Sequence, residues 1–499
     1  MEQRLVADVC PGETRVALME DDSLAEIHLE TQGKERLVGN IYKGRVANIL
    51  PGMQAAFIDI GLDRNAFLYA GDIKAEDEQR PSHRQTTPEI RSVLQPHQEV
   101  LVQVLKQPGG TKGARVTTHI TLPGRLLVLT PTTDHVGISK RIGDEETRER
   151  LRQVVESVRP PGLGLILRTA AANATEEELR REITFYSRLW ERIKAKADML
   201  SAPRLVHAEQ NLLFRSVRDV FSDDVKEFVI NDRDAYERVR ALINIIAPQM
   251  MTKVKYYGES APIFDHYGIE PQIAQALQRR VELKNGSTLV IDESEALTSI
   301  DVNTGRFTGT DNLQETILSV NLQAADEIAR QLRLRDLSGI IIVDFIDMTS
   351  EANRRKVVER LEQAVKRDHT KTNVLGMTQL GLVELTRKRL RRPLSALTET
   401  TCPACGGTGR VENVESIARK VRLTVMRLME AEKQGTYVVE VAPAVAEHIL
   451  AHNSHGQSLL PEFRGATFYV RGVPEARRGH LEVRTVTRGD QLEGAVAFH

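Results

Sequence analysis

Along the chain the spacing of apolar positions changes several times, and each change marks a different kind of element. Residues 1 to 33 hold short apolar runs with partial alternation, Val16, Ala17, Leu18 and Met19, then Leu24, Ala25, Ile27 and Leu29, which predict two or three strands. From Leu37 to Ile120 the runs stay short and Gly-rich turns divide them, as in GNIYKGRVANILPG and EVLVQVLKQPGG. Five short strands in about eighty residues predict a small OB-type barrel. The polar, proline-containing stretch from Asp72 to Gln98 matches no strand pattern and is expected to be a mobile insertion.

A second pattern follows. The strands RLLVLTP and GLGLILRTA precede TEEELRREITFYSRLWERIKAKA, a helix with acidic residues early and basic ones late, as the helix dipole favours. Residues 205 to 280 read as mostly helical. Asn285-Gly286 then opens a strand region, STLVIDESEALTSIDVNTG. A helix from roughly Asn312 to Arg335, the apolar strand GIIIVDFIDM, a helix from about Ser350 to Arg367 and the strand-like NVLGMTQ predict an α/β layer. Val414, Ile417, Val421, Val425 and Leu428 recur at helical spacing, and a small strand-helix-strand unit is expected to finish the chain.

A length of 499 residues suggests about three domains. The start lacks the charged and apolar regions of a leader, and no stretch approaches the roughly 18 apolar residues of a membrane span, so a cytoplasmic location is expected. Net charge is −1, so any nucleic-acid binding has to come from local patches. Three cysteines make no disulfide framework, which leaves metal binding or redox chemistry for a close pair.

Four groups of residues carry candidate chemistry. Asp301 and Asn303 lie two apart on a strand and leave the same face, while Asp344 follows four branched apolar residues where a buried strand emerges. Two carboxylates and an amide from separate strands suit Mg²⁺ or Mn²⁺, and equally suit acids paired with nearby Arg and Lys residues. In the barrel segment Phe57 and Phe67 stand beside Lys43, Arg45, Arg64, Lys106 and Lys112, a pattern that fits stacking of single-stranded bases and also fits core phenylalanines. Arg168 and Thr169 end a strand where a guanidinium and a hydroxyl can hold a phosphate. The run from Arg387 to Arg392 reads as a phosphate contact or a solvated face. In TCPACGGTGR, Cys402 and Cys405 have zinc-knuckle spacing and are followed by Gly406, Gly407 and Gly409, which favours zinc over a redox dithiol, although two ligands are missing.

Taken together, GNIYKGRV, PGMQAAFIDIGLDRNAFL, GTKGARVTT, GISKRI, LRTAA, PIFDHYGIE, SIDVNTGRFTG, RQLRLRDLSGIIIVDFIDM and CPACGGTGR resemble the bacterial ribonuclease E/G family over nearly the whole chain. The resemblance implies a multidomain α/β and α+β protein. An RNase H-like domain of residues 1–36 and 213–278 is interrupted by an S1-type OB domain, 37–118, and a 5′-sensor domain, 119–212; a DNase I-like catalytic domain, 279–398, a zinc-link, 399–413, and a small C-terminal domain, 414–499, follow. It implies an Mg²⁺-dependent endoribonuclease that cuts single-stranded A/U-rich RNA, prefers a 5′-monophosphate, leaves 5′-phosphate and 3′-hydroxyl ends, and serves processing of the 16S rRNA 5′ end and mRNA decay. Asp301 and Asp344 become the metal-binding catalytic aspartates, Asn303 the supporting amide, and Phe57, Phe67 and Lys112 RNA contacts, with Lys106 beside them. Arg168 and Thr169, with Gly124, Val128 and Arg141, become the pocket that senses the 5′-phosphate. A two-fold homodimer, or a dimer of dimers, would supply Cys402 and Cys405 twice and close one Zn²⁺ between two chains. The chain ends at His499 with no long scaffold tail and no membrane-anchoring segment, so it resembles the tail-less branch of the family.

Overall fold

The three strands at the start, Gln3–Cys10, Glu13–Glu20 and Ser23–Thr31, share a sheet with Val225–Ile230 and Val254–Tyr256, two hundred residues further on. Gln3–Cys10 pairs in parallel with Val225–Ile230, and the chain between Thr31 and Val225 forms two other sheets. The computed structural model describes residues 2–33, 36–73, 89–108, 112–305, 313–431, 435–451, 466–477, 479–486 and 494–498, and the chain divides into two compact units, Met1–Leu397 and Thr398–His499. The protein is mixed α/β with a closed five-stranded barrel.

Residues 205 to 280 depart from the helical expectation. Helices Leu212–Asp219, Arg233–Ile246 and Ile269–Ala276 are present, but Arg204–His207, Val225–Ile230 and Val254–Tyr256 are strands. Val225, Phe228, Val229 and Ile230 are buried together, and a short apolar run of that kind has no period that separates a strand from a helix.

The barrel is built from Ile41–Leu50, Ala55–Asp59, Ala66–Tyr69, Glu99–Lys106 and Arg115–Thr117, closed by pairing of Ile41–Leu50 with Glu99–Lys106. Ala56, Ile58, Ala66, Leu68, Val102 and Val116 fill its interior. The mobile stretch expected from Asp72 to Gln98 can be compared with the structure only at its two ends. Residues 74–88 lie outside the described residues, whereas Ile90 and Leu94 are buried in the barrel core, so its last ten residues are anchored rather than loose.

Behind the barrel a four-stranded sheet, ordered Val136–Ile138, Gly164–Leu167, Leu127–Thr130 and Leu122–Pro123, packs on helices Glu145–Val158 and Glu176–Met199. The long helix starts in a capping box in which Thr175 and Glu178 bond each other's backbone N–H groups.

Next comes a six-stranded sheet, in the order Arg280–Glu282, Thr288–Glu293, Leu297–Asn303, Gly339–Asp344, Leu382–Arg387 and Thr372–Met377. Helices Leu313–Leu334 and Glu351–Val365 cover one face, within two residues of their expected ends. The other face carries the exposed side chains of Leu297–Asn303, where exposed and buried positions alternate without a break.

In the second unit, helix Val414–Ala431 buries Ile417, Val421 and Val425 against a four-stranded sheet of Leu481–Thr485, Gly435–Val441, Ala466–Gly472 and Ala495–Phe498. The expected strand-helix-strand unit is therefore a fuller sheet, with Pro443–Leu450 as its second helix.

Candidate functional site

Leu297–Asn303 and Gly339–Asp344 run parallel, and their register sets Asp301 directly beside Asp344. Both side chains are exposed, Asp344 at the last position of its strand and Asp301 two residues before the end of its own, because the buried partners in the alternation are Ile300, Val302, Ile341 and Val343. The Asn303 amide donates to Asp301 Oδ2 at 2.7 Å and so fixes that carboxylate. Burial, then the charges of Asp301 and Asp347, push the Asp344 carboxyl above its ordinary range. Among the described residues no cation pairs with Asp301, Asp344 or Asp347. Like charges gathered without a counter-ion are costly, and the oxygen-rich donor set fits a hard divalent cation. Asp347 was not singled out from the sequence. Its only sign there is a second aspartate three residues after Asp344.

On the barrel, Phe57 and Phe67 are registered neighbours whose rings meet edge to face, with centroids 6.2 Å apart. They are half-buried on the outer face, since Ala56, Ile58, Ala66 and Leu68 already fill the interior. The row continues across the sheet: Phe67 is registered with Arg115, and Arg115 with Lys106. Two rings are thus followed by two cations, an arrangement able to stack bases beside a phosphate path. Arg115, overlooked in the sequence reading, is held by Asp72 at 2.7 Å and 3.0 Å. Lys112 is exposed just before Ala114, whose carbonyl accepts from the Phe67 N–H.

Arg168, at the end of Gly164–Leu167, donates to the Gly124 carbonyl at 2.6 Å and to Asp219 at 2.8 Å. Ser139 lies between Thr169, 3.4 Å from its hydroxyl, and the Arg141 backbone N–H, which donates to it at 3.3 Å. Val128 sits opposite Ile166 on the same sheet. The five residues therefore belong to one patch, together with Ser139 and Asp219, which sequence reasoning missed. Burial would raise the Asp219 carboxyl, but Arg218 and Arg168 outweigh it and hold the group below its usual range. Gly124 has a packing reason to be glycine: a Cβ there would come within 2.0 Å of Glu182 and 2.7 Å of Tyr186.

In the second unit Gly406, Gly407 and Gly409, which follow the cysteine pair, are all at positive φ, a tight turn that favours glycine. The N–H groups of Gly409 and then Gly407 point at Cys405 and lower its pKa, which favours the thiolate form. The Arg387–Arg392 run is divided. Arg387 is buried between Asp336 and Asp368 and has no role as a surface phosphate contact.

A registered carboxylate pair on the two central strands of its sheet and an aromatic row beside cations have the chemistry to hold a divalent cation and to stack single-stranded bases. The model of the Ribonuclease E/G family matches residues 121–390. Ribonuclease G of Haemophilus influenzae is 43% identical over 461 residues, 92% of this chain and 94% of that protein. Ribonuclease G of Escherichia coli K12 is 42% identical over 97% of this chain and 99% of its own length. Ribonuclease E of Haemophilus influenzae is 39% identical over 99% of this chain, which spans 53% of that longer protein. The chain belongs to the ribonuclease E/G family.

Proposed function

We propose that this endoribonuclease cuts single-stranded, A/U-rich RNA at Asp301 and Asp344 with Mg²⁺, and does so most readily on 5′-monophosphorylated substrates. The observation that carries the reading is the registered pair Asp301 and Asp344 with no cation beside it among the described residues. When bound there, Mg²⁺ supplies activation of water and neutralisation of the phosphate charge that builds up during in-line attack. Asn303 holds Asp301 in place through its 2.7 Å hydrogen bond. Phe57 and Phe67 stack bases, and Arg115 and Lys106, with Lys112, line the phosphates, so that the strand is held still for the cut. Cleavage leaves 5′-phosphate and 3′-hydroxyl ends. The Arg168 guanidinium, with Thr169 and Arg141 around Ser139 and with Gly124 and Val128 in the same patch, holds the 5′-phosphate. In domain terms the reading is an RNase H-like sheet, an S1-type barrel, a 5′-sensor, a DNase I-like catalytic layer, a zinc-link and a C-terminal domain.

Cys402 and Cys405 from two chains close one structural Zn²⁺ in a homodimer, or in each half of a dimer of dimers, which leads to about one zinc per two chains. One zinc per chain would count against shared ligation. The cellular roles proposed are processing of the 16S rRNA 5′ end and mRNA decay in the cytoplasm, as the family resemblance implies; no helix among the described residues is long and apolar enough to cross a membrane.

The experiment is a matched set of RNA and DNA oligonucleotides with 5′-monophosphate or 5′-hydroxyl ends, incubated with and without Mg²⁺. RNA cut only with Mg²⁺, and faster with a 5′-monophosphate, is expected. Intact RNA in every lane would mean a binding protein without catalysis, and equal cutting of DNA would mean a broader phosphodiesterase.

A further inference from the structure

A cavity of about 340 Å³ opens where the chain leaves the N-terminal sheet for the barrel and where it returns. It shares no residue with the carboxylate pair or with the aromatic row. Five charged side chains line it: Glu13, Glu30, Arg36, Glu209 and Arg215. Each acid already faces an arginine. Glu30 accepts from Arg215 at 2.9 Å, Glu209 from Arg218 at 2.7 Å, and Glu13 lies 3.8 Å from Arg15. Arg36 is left over. It makes no ion pair or hydrogen bond among the described residues, and its side chain is open to the cavity. Burial by the surrounding protein, followed by the Arg215 charge, pulls its pKa below the usual arginine range; the charges of Glu209 and Asp219 act the other way but offset this only in part.

The remaining lining is polar. Asn211 uses its carbonyl oxygen to accept from the Phe214 N–H, which leaves its amide N–H groups free to donate. A guanidinium with no direct partner among the described residues, beside amide donors in a concave polar site, selects a phosphate over an apolar or cationic ligand, because the planar fork matches two phosphate oxygens. The cavity wall is also linked to the Arg168 patch by a chain of contacts: Glu209 to Arg218, Arg218 to Asp219, and Asp219 to Arg168.

We propose that Arg36 and Asn211 form a second phosphate-binding site, which takes a backbone phosphate of single-stranded RNA or the phosphate of a free nucleotide. The RNA arm rests on the family's action on RNA and on no catalytic assignment. The site adds affinity that depends neither on the 5′ end nor on the metal.

The test uses the full chain carrying Asp344→Asn, with a 3′-fluorescein-labelled, 5′-hydroxyl A/U 30-mer read by anisotropy across salt, and AMP titrated by calorimetry. Arg36→Ala is expected to weaken the RNA about 5- to 10-fold and to lower the salt slope by about one ion, with Arg36→Lys recovering much of both. Loss of AMP binding with unchanged RNA affinity would make a free nucleotide the ligand and still support the site. Unchanged binding of both probes by Arg36→Ala, at an unchanged melting temperature, would overturn it. A gel of the same samples keeps the active-site reading separate, since a cut 30-mer would count against Asp344 and not against Arg36.

Discussion

Strands Gly339–Asp344 and Leu382–Arg387 are paired along their whole length, and their two ends treat acidic residues in opposite ways. At one end Arg387 is buried, donating to Asp368 Oδ2 at 2.6 Å and pairing with Asp336, while the Thr370 N–H also donates to Asp368 at 2.8 Å. At the other end Asp344 stands exposed beside Asp301 and near Asp347, with no cation among the described residues. The first arrangement satisfies its own charges and needs no ligand. The second has no cation beside it among the described residues, and on the proposed reading that difference separates a structural acid from a functional one better than strand-end position does, since both ends have acids there.

Replacement at each end tests the contrast most directly. Asp344→Asn keeps the shape and removes one repelling charge, so cleavage should fall on the order of a thousandfold or more while RNA affinity and melting temperature hold, because the metal contributes several kcal/mol at about 1.4 kcal/mol per tenfold. Single-turnover cleavage at saturating RNA and Mg²⁺ measures this, and near-normal cutting would remove Asp344 from the site. Arg387→Leu should do the reverse. It strands Asp368 and weakens the hold on Asp336, and should lower stability by about 3 kcal/mol, while each folded molecule still cuts RNA. If it abolished activity without loss of stability, the contrast between the two ends would fail.

Much of this was legible in the sequence, and the reason is periodicity. Alternation put Asp301 and Asn303 on one face, and the branched run before Asp344 placed it at a strand end. Phe57 and Phe67 were visible, but whether they filled the core depended on Ala56 and Ala66 lining the inside, which only packing reveals. Asp347, Arg115, Ser139 and Asp219 were not found, since single polar residues carry no period and their partners lie on other elements. The registered pairing of Asp301 with Asp344 spans the Leu313–Leu334 crossover helix, so it too is a tertiary fact. Val225–Ile230 departs from the helical expectation because a short strand buried at every position but Lys226 has no amphipathic signature.

Glu182 supplies a third kind of acid. It is fully buried, its charge met by the N–H of Leu126 at 3.1 Å and, more distantly, by Arg125, itself paired with Asp223; nearby Tyr186 stays neutral. Burial pushes its pKa from 4.5 up to about 7. The folded protein therefore holds a proton that the unfolded chain releases, so stability falls as pH rises from about 4.5 to about 7 and then levels off, by at most about 3 kcal/mol from this group. Glu182→Gln should flatten that part of the curve in denaturant midpoints taken at pH 5, 6, 7 and 8. An identical slope in both proteins would mean that backbone donors alone neutralise the carboxylate, and would move Glu182 to the same side of the contrast as Asp368.

The smallest expected effect separates binding from chemistry. Phe57→Ala removes a half-buried ring from the outer face of the barrel and leaves Ala56 and Ile58 to hold the core. Stacking on one aromatic is worth about 1–3 kcal/mol, so RNA affinity should drop roughly tenfold while the cutting rate at saturating RNA stays near that of the parent. Asp344→Asn should show the opposite split. If Phe57→Ala instead lowers the melting temperature and leaves affinity unchanged, Phe57 is a packing residue that Phe67 covers, and the phosphate-lining cations Arg115 and Lys106 would have to hold the strand without it.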